Sequence, residues 1–421
     1  MNFTASPRTL IFLILALLLL AGCQPTVFLM PTPVGLKSGD HDPFQRRAQV
    51  NKDNLVTVAY ATNRIPANTD KKPYYSKKFD DNLRMGVATL RIGSEGEKWE
   101  DLHAESTTGE RSKDYKISLE RVSPMGSLKE TDSLDDLSNE LKQFFTIINR
   151  ALQDISIKDI TIYAHGANTG FYRSTAQGAQ FGYFTGRNAL ILVYSWPSAE
   201  NILLYSKDVN HGRASAPVFA RFVELLARHS HAENINILAY SAGSRLVDGA
   251  LTSLGEKYAG MPDEQARKAL RLGQVYFAAP DVQEAIFLNS FPKYLYLTQN
   301  VTMTLNTEDS MLNFAHKYSG GSRLGKLDGD DSEFEKSSNR DWFIEAINSP
   351  RFDVINVSAS KIPEFEKGAH DYWYSNPWVS TDLLLQILSG APPEERGQRD
   401  REEAQAETSE EACHLLLPGT P

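Results

Sequence analysis

The chain has 421 residues, of which 41% are hydrophobic and 23% charged, a globular composition with room for one large α/β domain or two small ones. A formal net charge of −9 argues against nucleic acid as a partner, because proteins that bind it usually carry a basic face. The acidic excess is uneven, since residues 391–421 contain eight acidic and three basic side chains. The remainder of the chain is therefore only mildly acidic.

Residues 1–22 have the pattern of a secretory signal peptide. Arg8 precedes an apolar run over residues 10–20, which is too short to span a bilayer as a finished helix. The run ends in Leu-Ala-Gly-Cys, which resembles the lipobox of bacterial lipoproteins. That resemblance implies cleavage before Cys23, lipidation of its thiol and a tether to the cell envelope. A plain cleaved signal and a short anchor helix are the alternatives.

Two neighbouring features refine this expectation. Gln24 stands where Asp would favour inner-membrane retention, so we expect the outer membrane, with the protein facing the periplasm. With Cys23 modified, Cys413 is the other cysteine, and no intramolecular disulfide is expected. Residues 23–54 are rich in Pro, Gly and polar side chains without a sustained period, which predicts a flexible tether.

The N-terminal part of the main domain, which we place at residues 55–390, is predicted to begin with β structure. Alternating and β-branched residues indicate strands over residues 55–61 and 85–92, with a polar loop over 71–81, as a short N-terminal β extension. Apolar residues at spacings of three and four then predict an amphipathic helix over 134–148, with Ser133 and Asp136 available at its start.

From residue 160 onward, strand and helix patterns alternate. Such alternation predicts a mostly parallel sheet with helices on both faces. The helix over 216–229 has Ser215 as its expected cap and Pro217 in its first turn. Residues 310–350 interrupt the alternation of strands and helices and are predicted to form a lid or a surface excursion. Residues 391–421 are predicted to be disordered. The predicted strands cover residues 160–164, 188–195, 235–240, 274–279, 301–305 and 354–357, with a last helix over 381–388.

The segment from residue 234 to 249 combines a buried strand with a helix, and Ser241 lies between them. Ala239 and Gly243 flank this serine, giving the small-x-Ser-x-small pattern of a nucleophile elbow. Small residues are needed there because the strand and helix backbones pass too close for larger side chains. The start of a helix also offers unpaired N–H groups to a developing negative charge. A serine that merely caps a helix is the alternative reading.

Polar residues that follow the other predicted strands supply candidate partners for Ser241. His165-Gly166-Ala167 follows the strand over 160–164 and resembles an oxyanion-hole loop, so the predicted donors are the amides of Ala242 and of Gly166 or Ala167. His165 itself is expected to hold the loop.

Asp309 and His370 each follow a later strand, which gives the chain order serine, acid, histidine. In the expected mechanism His370 takes the Ser241 proton and Asp309 orients the imidazole. The alternatives are Asp281 and Glu308 for the acid, and His211 and His316 for the base.

Several of these segments together resemble a group of bacterial α/β hydrolases catalogued as a domain of unknown function, over nearly all of the chain between the tether and the tail. The resemblance implies an α/β-hydrolase fold with Ser241 as nucleophile, His370 as base and Asp309 as acid, and it makes Asp281 a recurrent residue near the site. The segments are YATNR at 60–64, YAHG at 163–166 with Asn168, SWPS at 195–198, AYSAG at 239–243, AAPD at 278–281, RLG at 323–325 and GAH at 368–370.

The elbow departs from the usual His-Ser-Met-Gly of that group, because this chain has Tyr240-Ser241-Ala242-Gly243. We expect the Tyr240 side chain to point away and Ala242 to contribute its backbone. The favoured function is a serine hydrolase of a carboxylic ester with a lipid or acyl substrate, although a thioesterase or peptidase would use the same residues. A catalytically silent envelope protein that binds a partner is the alternative. The nine histidines show no paired ligand spacing, so neither a metal nor a cofactor is expected.

Overall fold

The computed structural model describes most of the chain from residue 26 onward. It covers residues 26–37, 42–46, 52–67, 74–108, 111–319, 321–326, 337–347, 349–357, 362–396, 398–399 and 414–416. The segment 1–22, Cys23 and Cys413 lie outside these residues, so what the sequence predicts for them stays a prediction. No helix within the described ranges is long and apolar enough to cross a bilayer.

One sheet organises the described residues. Its strands are β1 (Val27–Phe28), β2 (Leu55–Pro66), β3 (Tyr75–Ile92), β4 (Lys116–Leu128), β5 (Ile160–Ala164), β6 (Leu190–Tyr194), β7 (Ile235–Tyr240), β8 (Leu272–Ala278), β9 (Asn300–Leu305), β10 (Phe352–Asn356), β11 (Gln398–Arg399) and β12 (His414–Leu416). The order across the twelve-stranded sheet is β1-β4-β3-β2-β6-β5-β7-β8-β9-β10-β12-β11. Pairing is parallel from β2 to β12 and antiparallel at both edges.

Helices flank both faces of this sheet, so the predicted α/β-hydrolase class of fold is confirmed. The α-helices are α1 (Val34–Lys37), α2 (Trp99–Thr107), α3 (Asn139–Asp154), α4 (Phe171–Phe184), α5 (Tyr205–His229), α6 (Gly243–Tyr258), α7 (Asp263–Leu270), α8 (Glu284–Ser290), α9 (Ser310–Ser319), α10 (Arg340–Ile347), α11 (Tyr372–Ser375) and α12 (Pro377–Ser389).

Each face of the sheet has its own hydrophobic core. Along β7, Ile235, Ile237 and Ala239 pack into one core, while Leu238 and Tyr240 pack into the other. Helices α3, α5 and α6 contribute to the first core, and α4 and α12 contribute to the second. Because both faces are covered, a central strand is mostly apolar, and this makes such strands recognisable in the sequence.

The strand order brings two loops together. β5 pairs with β6 on one side and with β7 on the other. The chain therefore reverses its direction across the sheet between these strands, and ligand-binding crevices form beyond the carboxyl ends of strands at such a switch point. Since β5 ends at Ala164 and β7 at Tyr240, His165 and Ser241 emerge side by side.

The N-terminal β structure is larger than predicted. Residues 75–81, expected as a loop, are the first part of the 18-residue strand β3, because Tyr75 is buried and Phe79 pairs with Arg64 of β2. Strand β4 was not predicted, since it contains Pro124 and Gly126. Its pairing with β1 reaches only residues 116 and 117, so Pro124 lies on an open edge where a missing N–H is tolerated.

Two predicted helix starts are wrong. Helix α3 begins at Asn139, where the Ser138 hydroxyl accepts a hydrogen bond from the Leu141 amide at 3.3 Å, so Ser133 and Asp136 do not cap it. Helix α5 begins at Tyr205 and contains Pro217 in its interior, so neither the predicted Ser215 cap nor a first-turn proline is present. The Ser215 hydroxyl instead accepts a hydrogen bond from Asn63 Nδ2 at 2.8 Å. Long-range contacts of this kind are not visible in a local pattern.

The first residues after position 390 are folded rather than disordered. Pro393–Arg396 form a 3-10 helix, and the Arg396 side chain is fully buried. Its guanidinium lies 3.2 Å from Asp382 Oδ2 and 3.7 Å from Asp353 Oδ2, and it donates to Gln386 Oε1 at 2.7 Å. The domain therefore extends beyond residue 390. It includes Arg396, which lies in the segment 391–421 that was predicted to be disordered.

We predict that Arg396→Ala lowers the free energy of unfolding by about 3–5 kcal/mol, because it leaves two buried carboxylates without their cation. Urea unfolding of the purified domain measures this. Arg228→Ala is the matched control, since its ion pair with Asp135 is exposed and such pairs contribute at most about 1 kcal/mol. Equal losses in the two variants would contradict a structural role for Arg396.

Candidate active site

Ser241 occupies a strained turn between β7 and α6. Its φ of 53° lies in the left-handed region, which is uncommon for a residue with a side chain. The Ser241 amide donates to the Ala278 carbonyl at 3.0 Å, and the Asp281 amide donates to the Ser241 carbonyl at 3.2 Å. The end of β8 thus holds the turn on both sides, and the hydroxyl is directed into a cleft.

The turn requires small residues around it. A Cβ on Gly243 would lie 2.5 Å from the His165 carbonyl oxygen and 2.6 Å from that of Ala164. A Cβ on Gly166 would lie 3.0 Å from the Ser241 Cβ. The steric reason given for the small flanking residues is therefore confirmed at Gly243, and the loop after β5 is constrained less tightly at Gly166.

His370 and Asp309 reach Ser241 from the loops that follow β10 and β9. The Ser241 Oγ lies 2.7 Å from His370 Nε2, and His370 Nδ1 lies 2.7 Å from Asp309 Oδ2. The three side chains, predicted from their order along the sequence, thus form one hydrogen-bonded row. Ser241 and His370 are 129 positions apart in the sequence, and Asp309 and His370 are 61 positions apart. They meet because the parallel strands end at the same edge of the sheet.

Asp309 is held on its other oxygen as well. Its Oδ1 accepts hydrogen bonds from the Met311 and Leu312 amides, each at 2.9 Å, at the start of α9. The side chain is fully buried, whereas that of His370 is 13% exposed and faces the cleft. The His370 loop is fixed to the same segment, because Asn306 Nδ2 donates to the Ala369 carbonyl at 2.7 Å.

His165 holds the loop after β5, as its position suggested. It is buried, and its ring stacks on Trp196 with centroids 4.9 Å apart. Burial, aided by the charge of Arg64, lowers the pKa of His165 to about 3, so the imidazole is neutral. The Trp196 Nε1 donates to the His165 carbonyl at 2.6 Å. This packing fixes Gly166 and Ala167, which line the cleft beside Ser241.

Asp208 is a residue of this loop region that the sequence did not reveal. Its carboxylate accepts hydrogen bonds from the Asn168 amide at 2.8 Å, from Ser198 Oγ at 2.7 Å and from the Ala199 amide. Asn168 has a φ of 53°, so a second left-handed residue depends on this contact. Nothing in the local sequence pattern connects residues 40 positions apart.

Asp281, the main alternative for the acid, is engaged elsewhere. It is buried beside the cleft, where it accepts hydrogen bonds from Tyr205 Oη and from Arg245 Nη2, the latter at 3.0 Å. Arg323 Nε also lies 3.4 Å from its Oδ1. Asp281 therefore ties the first turns of α6 to the loop after β8, and its charge is matched by two arginines rather than by a histidine.

The remaining alternatives also have other partners. Glu308 lies 3.1 Å from Lys367 Nζ at the surface. His211 Nδ1 lies 2.6 Å from the Pro197 carbonyl oxygen, and His316 Nδ1 lies 3.0 Å from that of Gly321. Among the described residues, no group of three or more His, Cys, Asp or Glu side chains is placed to hold a metal ion.

Tyr240 does not point away from the site, and that prediction is wrong. Its ring lines the cleft, 5.4 Å from the His370 ring and 6.1 Å from the Tyr374 ring, between centroids. The reason is the period of β7, which directs Leu238 and Tyr240 to the face covered by α4 and α12. Tyr240 is therefore part of the wall beside the imidazole.

The cleft above Ser241 has a volume of about 420 Å³. Helix α9 forms one wall through Met311, Leu312, Phe314 and Ala315, so the first part of the 310–350 segment is an ordered wall of the site. The opposite wall comes from the loop after β5 and the start of α4. Residues 327–336 of that segment lie outside the described residues.

A family model for α/β hydrolases of unknown function (DUF900) matches residues 141–387, which is more than half of the chain. The protein belongs to this family. The match includes Ser241, Asp309 and His370.

No curated protein matches this hydrolase. A solved structure of a lipase-esterase related protein from Clostridium acetobutylicum ATCC 824 is similar at 10% identity and a TM-score of 0.23, covering 46% of this chain and 94% of that one.

Gly243 has no room for a side chain. Gly243→Ala should lower the free energy of unfolding by about 1–3 kcal/mol, because its Cβ meets backbone atoms that cannot move aside cheaply. Gly260→Ala is the control, since a Cβ there has no neighbour within 4 Å. Urea unfolding of both variants measures the difference, and equal stability would show that the elbow backbone is not under this constraint.

Asp248 on α6 is a buried carboxyl group that titrates. The side chain is buried and accepts hydrogen bonds from Ser290 Oγ at 2.6 Å and Tyr294 Oη at 3.0 Å. Burial raises the pKa of Asp248 from 3.8 to about 7. Between these values the folded state keeps a proton that the unfolded state has lost, so stability contributed by this group falls as the pH rises towards 7.

Asp248→Asn removes that titration while keeping an acceptor for both hydroxyls. The melting temperature of Asp248→Asn, relative to that of wild type, should therefore increase as the pH rises from about 5 to about 8. Asp154→Asn, at an exposed position, controls for the loss of one negative charge. A constant difference between Asp248→Asn and wild type across this range would contradict the protonated state of Asp248.

Proposed function

We propose that this protein is a serine hydrolase that cleaves a carboxylic ester through Ser241, His370 and Asp309. The observation that carries the proposal is the pair of 2.7 Å contacts that join Ser241 Oγ, His370 and Asp309 Oδ2. An imidazole with one nitrogen on a hydroxyl and the other on a buried carboxylate is the arrangement that activates a serine.

The steps follow from these contacts. His370 Nε2 accepts the Ser241 proton as Oγ attacks the ester carbonyl, and Asp309 stabilises the imidazolium that results. The tetrahedral oxyanion would be bound by the Ala242 amide, at the start of α6, and by the amide of Gly166 or Ala167, which lie beside Ser241. His370 then gives the proton to the departing alcohol, and a water molecule, activated in the same way, hydrolyses the acyl-enzyme.

The cleft mouth favours an acyl or lipid ester over a peptide. Met311 and Phe314 of α9 are exposed at the wall, and the exposed Leu203 and Leu204 precede Tyr205, which also lines the cleft. Phe314 and Tyr205 have ring centroids 6.3 Å apart, so these two rings form an apolar rim at that point of the cleft. Such a rim suits the hydrocarbon part of a substrate.

The lipobox supports a location as part of the same proposal. We place the enzyme on the outer membrane, anchored through Cys23 and facing the periplasm. In that location the membrane is its partner and a lipid its accessible substrate. The prediction that all of residues 23–54 form a flexible tether is wrong, because β1 pairs with β4 and Leu29, Met30 and Phe44 are buried in the second core.

The alternative is a catalytically silent binding protein, and two observations favour it. The elbow has Tyr240 and Ala242 where the resembling group usually has His and Met, and Ser241 is only 7% exposed. A fluorophosphonate probe distinguishes the two functions, because it reacts with an activated serine and not with an ordinary one.

We predict that the soluble domain, from residue 24 onward, is labelled by the probe and that Ser241→Ala abolishes labelling. Turnover of a chromogenic ester should fall about 10⁶-fold in Ser241→Ala and about 10⁴-fold in Asp309→Asn, which keeps an acceptor for the α9 amides. Ser253→Ala is the matched control, since Ser253 is an exposed serine on α6, the helix that follows Ser241.

The outcomes separate the hypotheses. A folded wild type that is neither labelled nor active would favour the binding protein. Labelling that persists in Ser241→Ala would mean that another residue is the nucleophile.

A further inference from the structure

Arg173 is a cleft residue to which the proposed mechanism gives no role. It lies in the first turn of α4, directly after the loop that carries Gly166 and Ala167. Its side chain is half-buried and lines the same cleft as Ser241 and His370. A cation at that depth must be balanced, because moving a charge out of water is costly.

The immediate neighbours of Arg173 are phenols. Tyr374 forms a side-chain hydrogen bond with it, and Tyr240 and Tyr163 lie within electrostatic range. Burial, reinforced by Asp371, raises the pKa of Tyr374 to about 12, so its hydroxyl is neutral at physiological pH. Burial also places the pKa of Tyr240 well above its ordinary value. These groups orient the guanidinium without cancelling its charge.

The acidic groups that line the cleft do not pair directly with Arg173. Asp281 is matched by Arg245 and Arg323. Asp371 reaches the guanidinium only across the Tyr374 hydroxyl. Glu366 is exposed at the rim. Among the described residues, no carboxylate comes within the 4.0 Å ion-pair distance of Arg173.

The other cleft cation differs in this respect. Lys367 Nζ lies 3.1 Å from Glu308 Oε1, and the lysine side chain is 85% exposed. Its charge is therefore both paired and screened by water. Arg173 is the better placed of the two to act on a bound molecule.

We propose that Arg173 binds an anionic oxygen group of the substrate, so that the preferred ester carries a carboxylate or a phosphate as well as the bond that is cleaved. A guanidinium suits either group, since its planar array of donors forms two parallel hydrogen bonds with them. The inference rests on the proposed function, and it assigns Arg173 to specificity and not to the chemical step. A neutral ester would leave the cation without an anionic partner in the cleft.

A matched pair of chromogenic esters tests this. Mono-4-nitrophenyl glutarate and 4-nitrophenyl pentanoate have acyl chains of the same carbon number and differ by one terminal carboxylate. Wild type should prefer the glutarate in kcat/KM, and Arg173→Gln should lower that preference by about tenfold to a hundredfold. Arg173→Lys should restore part of it, because the charge returns without the two parallel donors.

Lys367→Gln is the matched control, and it should change the preference by less than about twofold. A preference that survives in Arg173→Gln, or that is lost only in Lys367→Gln, would overturn the assignment. Competition by inorganic phosphate and by glutarate in wild type distinguishes the two sources of the anion, and the stronger competitor should lose more of its effect in Arg173→Gln.

Binding to an inactive protein separates this inference from the proposed function. Calorimetric titration of Ser241→Ala with glutarate and with phosphate should give an affinity for at least one of them that falls about tenfold or more in Ser241→Ala/Arg173→Gln. If neither ester is hydrolysed but this loss is seen, the hydrolase proposal fails and the anion site stands. If both esters are hydrolysed alike and neither anion binds, the anion site fails and the hydrolase stands.

Discussion

The left-handed turn at Ser241 is the constraint on which the rest of the site depends. With a φ of 53°, Ser241 directs its hydroxyl into the cleft. In this turn the backbone at Gly243 passes very close to the end of β5. Gly243 allows that approach, and the amide and carbonyl of Ser241 are both bonded to the segment after β8. The strain is therefore maintained by three neighbouring strands of the sheet.

Much of this arrangement was readable from the sequence, and the reason is the parallel sheet. Its central strands are buried on both faces, so they appear as short apolar runs, and the residues after them necessarily meet at one edge. That geometry favoured Ser241, Asp309 and His370 but left Asp281 and Glu308 open as the acid and His211 and His316 open as the base. It was not enough for Tyr240, whose direction depends on which face α4 and α12 cover, or for Pro217, which long-range packing keeps inside a helix.

Charged residues show where a sequence gives the least information. Asp248, Asp281 and Asp309 are all buried aspartates close to the elbow, yet they have three different surroundings. Two hydroxyls contact the first, two arginines neutralise the second, and an imidazole faces the third. Arg396 illustrates the same limit. It lies in a segment whose acidic, Pro-rich composition predicts disorder, yet it has two buried carboxylate partners. Partners distant in sequence determine what each charge does.

Asp309 divides its two oxygens between different tasks. Oδ2 contacts His370, and Oδ1 accepts hydrogen bonds from backbone amides of α9, the helix that forms one wall of the cleft. Since main-chain atoms form those contacts, Met311 could be replaced by any residue that keeps its N–H without disturbing the acid. The lining of the cleft could thus change during evolution while the contact between Asp309 and His370 stays intact. The same helix would tolerate a wide range of side chains and reject a proline at position 311 or 312.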